Sequence, residues 1–165
     1  MAPAQQQQTG FALPLIYRFF FLVLEPISAL VGAYFCHLRQ ARYLELLHAP
    51  SAAAALAGAA GPPLGTSVAM SQLANMYFFF ALNEFVVLRS TGDMRVWRAV
   101  LFVLLLADLG HLYSMKELGA QVYYNVLGWN AGDLGNVPWV YAGATLRICF
   151  LAGVGMGTKA PVKRQ

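Results

Sequence analysis

Residues 100–115, VLFVLLLADLGHLYSM, decide how this chain is read. The stretch is apolar enough to cross a bilayer, yet it carries Asp108 and His111 one helical turn apart. An ionisable group at that depth is costly. It faces a bundle interior and needs partners there. The other apolar segments supply them: Glu25 in the first, Asn83 and Glu84 in the second, and Arg147 in the last. The expectation is an all-α, polytopic transmembrane four-helix bundle with a polar interior.

Composition points the same way. Of 165 residues, 59% are hydrophobic and 11% charged, where a soluble domain carries roughly 25% charged residues. The formal net charge of +4 is small and gathered at segment ends. That suits anionic headgroups and excludes nucleic acid as a partner. Cys36 and Cys149 form no CxxC pair, so neither a thiol redox centre nor a zinc site is expected. They read as small buried residues. No motif calls for a metal or cofactor.

Four spans are expected, at about 13–38, 67–88, 96–115 and 137–156, forming one domain over 13–157. A polar tail over 1–12, MAPAQQQQTGFA, reads as disordered, and a basic tail follows at 158–165. The first apolar run contains Arg18 and Glu25 and follows a segment without Lys or Arg. This is a retained helix rather than a cleavable signal. Along it Arg18, Leu22, Glu25, Ala29, Gly32 and Cys36 alternate by four and three and so share one face. Pro26 has no N–H, which frees the Leu22 carbonyl and predicts a kink beside Glu25.

Residues 37–47 read as a short amphipathic surface piece with Arg39, Arg42 and Tyr43 as anchors. Residues 49–65, APSAAAALAGAAGPPLG, read as a low-complexity loop. In the second span Gln72, Asn75, Met76, Phe79 and Asn83 lie along one side, with Glu84 about 100° further round. Residues 116–136, with Tyr123, Tyr124 and Trp129, read as an interfacial loop or shallow re-entrant segment. In the fourth span Val140, Gly143, Ala144 and Arg147 share a face, small residues making room for the arginine.

Four spans place both termini and the 89–98 turn on one side. That side carries Arg89, Arg95, Arg98, Lys159, Lys163 and Arg164; the other carries Arg39, Arg42 and Lys116. The positive-inside rule then makes the termini cytosolic, in a multi-pass protein of the endoplasmic reticulum. At ~1.5 Å per residue Arg18 and Glu84 share a cytosolic-side layer, predicting an ion pair. Glu25, Asp108 and Arg147 fall near the midplane, with His111 a turn further on. Two acids against one cation leave an excess carboxyl, a candidate proton donor.

Several runs carry a resemblance: 25–34 (EPISALVGAY), 72–84 (QLANMYFFFALNE), 94–98 (MRVWR), 104–114 (LLLADLGHLYS) and 135–157 with its YAGATLRI core. They resemble a family of small fungal integral-membrane proteins of unassigned function, over about residues 14–157. The resemblance implies four transmembrane helices and a fungal source, and carries no catalytic residues. In size and helix count the chain is also similar, more loosely, to the sterol isomerase-like four-helix architecture.

Two functions follow. One is a lipid-binding or complex-assembly membrane subunit whose polar groups hold its helices together. Its partners are membrane lipids and a second copy or another membrane protein. The other is a membrane enzyme transferring protons to a hydrophobic sterol, lipid or terpenoid, as an isomerase or cyclase does. There Asp108, Glu25 and His111 would be catalytic, and Arg147, Asn83 and Tyr113 would bind, beside the aromatics of 78–80.

Overall fold

The computed structural model describes residues 13–58 and 61–156, and every regular element among them is helical. The expected tails over 1–12 and 158–165 lie outside the described residues. The first helix, α1, runs Leu15–Leu38 (24 residues). It begins directly after Pro14, whose fixed φ suits the residue that starts a helix. α2 covers Gln40–Leu56. α3 begins after Pro63 and covers Leu64–Leu82, carried on by a π-turn at Asn83–Val87 and a last turn at Leu88–Ser90. α4 covers Met94–Ser114, its start capped by the Asp93 carboxylate, which accepts the Arg95 N–H at 2.8 Å. α5 covers Ala131–Asn136 and α6 covers Pro138–Leu151.

Two helices are long and apolar enough to cross a membrane: α1, and α4 carried on to Leu118. α6 has only 14 residues, about 21 Å of helix, because Val137 breaks it from α5 and turns end it at Leu151. The expected fourth span of 137–156 is therefore shorter as a helix.

The bundle is built from two antiparallel pairs. α1 lies along α3, with Leu22 near Arg89, Gly32 against Tyr77 and His37 beside Ser71. Gly32 permits that approach: a Cβ there would meet the Tyr77 ring at 3.1 Å. α4 lies along α6, where Trp97 stacks on Phe150 at 5.8 Å and Asp108 meets Arg147. An aromatic core of Tyr17, Phe20, Phe21, Trp97 and Phe150 joins the pairs, and the Tyr17 hydroxyl donates to the Val154 carbonyl at 2.8 Å.

Two expectations are corrected. The alanine-rich run expected as a loop is helical to Leu56 and continuous with the amphipathic piece, broken only at His48 (φ −161°, ψ 92°) just before Pro50. Alanine has the highest helix propensity, and proline is tolerated in the first turn of the resumed helix. Second, Asn83, expected among the interior partners, is only half-buried, and the side of α3 it shares with Gln72, Asn75, Met76 and Phe79 points out. The inward stripe is Met70, Ala74, Ala81, Glu84 and Leu88, because small residues allow the close packing with α1. Residues 115–128, within the stretch read as an interfacial loop or shallow re-entrant segment, form short 3₁₀ turns tied down by Tyr123 donating to the Leu112 carbonyl and Trp129 to the Val122 carbonyl.

Candidate functional site

The site is built on helix irregularities. In α1 the residues just before Glu25 form a π-turn, Phe20–Leu24, and α3 has its own π-turn over Asn83–Val87. In α1 the cause is local. Pro26 cannot donate, so the Leu22 carbonyl has no helical partner, and Arg89 of α3 donates to it from Nη2 at 2.8 Å. The kink expected at Pro26 is thus a π-turn capped from the neighbouring helix. Such single turns are inserted residues in a helix, and they often accompany functional sites. Here they carry Glu25 and Glu84 inward.

Arg147 of α6 is fully buried and holds three carboxyls, each from a different helix. Nη1 donates to Asp108 Oδ2 at 2.7 Å, Nη2 donates to Glu84 Oε1 at 3.1 Å, and Nη2 lies 2.7 Å from Glu25 Oε1. The planar guanidinium suits this: it offers donors on two edges, which a lysine cannot. Phe21 and Phe80 flank it, their ring centroids 5.5 and 5.4 Å from Cζ. Gly143, one turn before Arg147, leaves the space: a Cβ there would lie 2.7 Å from Arg147 Nη1 and 2.9 Å from Glu25 Oε1. Glu25, Asp108 and Glu84 are at most 6% exposed.

The cluster is not fully saturated. Glu25 Oε2, Glu84 Oε2 and Arg147 Nε are buried without a hydrogen-bond partner among the described residues. Three carboxyls around one guanidinium would carry a formal charge of −2 if all were ionised. A low-dielectric interior makes such an excess costly.

Of the residues expected at the site, Glu25, Asp108 and Arg147 come together. Glu84 joins them instead of pairing with Arg18, which is exposed. The π-turn explains the correction. Its extra residue rotates everything before it by about 100° relative to an α-helical count, so Arg18 leaves the face that holds Glu25. His111 is outside the cluster: its half-buried ring lies by the Asn136 backbone, and its buried Nε2 has no partner among the described residues. Asn83 turns back to donate to its own helix at the Phe79 carbonyl (2.9 Å). Tyr113 is 67% exposed and accepts from Lys116 Nζ at 3.0 Å. Arg89, the donor to Leu22, escaped the sequence reading; Glu84 was expected among the interior partners but in a separate layer with Arg18. The spacing of Met70, Ala74, Ala81, Glu84 and Leu88 is the signal that marks Glu84 as inward.

Clefts among the described residues are lined by residues of α3 around Ser71, by residues around Arg18 and Arg89, and by residues between His48 and Asp133. None of the four clustered side chains lines any of them. Among the described residues no group of His, Cys, Asp and Glu is arranged to hold a metal ion.

No curated protein and no solved structure matches the chain. A family does, over residues 10–157. The chain belongs to the family described as a domain of unknown function, DUF7704.

Proposed function

We propose that the chain is a multi-pass membrane protein in which Arg147 clasps the helices into a rigid scaffold, serving as a non-catalytic lipid-binding or complex-assembly subunit. The observation that carries this reading is the fully buried Arg147 joining α6 to acids of α1, α3 and α4. The polarity of the molecule supports it. The charged groups of the cluster, Glu25, Glu84, Asp108 and Arg147, are inside, while Ile27, Phe79, Phe102, Val103, Leu109 and Ile148 are about half exposed or more. In water that arrangement is unfavourable on both counts; in a bilayer it is favourable on both. The two helices long enough to cross supply two spans, and α3 and α6 supply the others. α6 is short for a span, so its ends sit below the headgroups or the bilayer thins around it. The basic 89–98 turn lies on the cytosolic side.

A scaffold role fits a cluster of fully or almost fully buried groups bordered by the Phe21 and Phe80 rings. The enzymatic reading draws on the unpartnered Glu25 Oε2 and Glu84 Oε2, which are chemically able to hold a transferable proton. One experiment separates them. Asp108→Asn keeps the shape and removes the acid. In a scaffold the variant loses stability, because a buried charged contact to Arg147 is weakened, and incubation with membrane lipids, sterols and terpenoids gives no product that depends on Asp108. A product formed by the wild type and lost in an equally stable variant would replace the scaffold reading with the enzyme.

A further inference from the structure

The arginine that the π-turn rotates away from Glu84 does not stand on an open helix face. Arg18 and Arg89 together line a cleft of about 480 Å³ at the end of α1, where α3 turns into α4. Leu22, Val23 and Leu88 supply apolar wall, and Thr91 supplies a hydroxyl. No carboxylate lines the cleft. The acid nearest in sequence, Asp93, is engaged as the cap of α4. Arg89 uses Nη2 on the Leu22 carbonyl, which fixes its guanidinium at the cleft and leaves its other edge free for a ligand.

We infer that this cleft binds the phosphate of an anionic glycerophospholipid, with Arg18 and Arg89 as its ligands and the acyl chain lying along Leu22, Val23 and Leu88. The inference rests on the membrane reading above and names the lipid class that reading leaves open. Two like charges on one cleft repel unless an anion sits between them. Guanidinium groups match phosphate oxygens in a two-point fork. At the end of a membrane helix the anion present at that depth is the lipid phosphate, and basic pockets between helices take such headgroups. A free phosphate would satisfy the arginines and leave the apolar wall uncovered.

The test uses the full chain in neutral detergent, offered an equimolar mixture of dioleoylphosphatidylglycerol and dioleoylphosphatidylcholine and read by native mass spectrometry. Phosphatidylglycerol should be retained preferentially. Arg18→Gln should lower its retention about tenfold, the loss expected for one charge-assisted contact. Arg18→Lys should fall between, and Arg95→Gln, on the same side and outside the cleft, should change nothing. Thr91→Asp keeps both arginines and supplies an internal carboxylate, so it should also lower retention and covers the case that Arg18→Gln fails to fold. Excess inorganic phosphate should leave retention in place; full displacement by it would make this a site for a soluble anion and overturn the lipid assignment. Equal retention of the two lipids, or equal loss with Arg95→Gln, overturns it as well. An alkaline wash of expressing membranes keeps the two ideas apart. A chain that stays in the pellet without anionic preference loses only the lipid site, whereas one released into the wash contradicts the membrane reading and this inference together.

Discussion

Replacing Arg147 with Met tests the clasp at its centre. Methionine fills much of the volume of the arginine stem and removes the guanidinium that three carboxyls share at 2.7, 2.7 and 3.1 Å. Removing one partner of a buried ion pair costs ~3–5 kcal/mol, because the charge left behind has neither water nor a counter-ion. The first carboxyl stranded sets that scale. The others add less, since protonation relieves them. For a domain of this size ~1 kcal/mol shifts Tm by roughly 2–4 °C, so Arg147→Met should melt about 6–20 °C below wild type in the same detergent. Arg147→Lys should lie between, because a point charge cannot reach acids on both edges. Neutralising the acids in the Met background, with Glu25→Gln, Glu84→Gln and Asp108→Asn, should recover part of the loss, since an uncharged cluster strands nothing. A folded Arg147→Met protein melting within ~2 °C of wild type would refute the clasp.

Other consequences are as specific. Gly143→Ala drives a methyl into Arg147 and Glu25 and should destabilise by about 1–3 kcal/mol. Gly110→Ala, in open space on the exposed side of α4, should be neutral or stabilising by up to ~1 kcal/mol; thermal melts of the two compare them. Arg89→Gln should cost on the order of 1 kcal/mol by stranding the Leu22 carbonyl, and less in a Pro26→Ala background, where residue 26 regains an N–H for it. The double-mutant cycle reads that coupling, and strict additivity would show that Arg89 does not serve the proline break. Tyr123→Phe removes the hydrogen bond to the Leu112 carbonyl and should loosen the 115–128 turns, raising hydrogen exchange there while the cluster stays protected.

Much of the fold was legible because its signals are strong. Ionisable groups in apolar helices have few places to go, so Glu25, Asp108 and Arg147 could be placed together from depth and spacing alone. The small residues before Arg147 announced the space that Gly143 leaves. What was not legible turned on single residues of helical register. An α-helical count keeps Arg18 on the Glu25 face. The π-turn between them moves it off, and no residue in the FFLVL run signals that insertion except the proline that follows. On α3 Asn83 reads as an interior partner because polar groups are expected inside a membrane bundle. The alanines that permit contact with α1 proved the stronger determinant. The alanine-rich segment reads as loop for its low complexity and its prolines, and the helix propensity of its alanines proved stronger up to Leu56.

The central claim is that the clasped helices cross a bilayer, and α4 allows the most direct measurement. Thr91 precedes it, and Leu127, fully exposed, follows it at the opposite end. Single cysteines at these two positions, in a background with Cys36 and Cys149 replaced, can be labelled in sealed vesicles with a membrane-impermeant maleimide. The two positions should label from opposite sides, with position 91 on the cytosolic face. Labelling of both from the same side would contradict it.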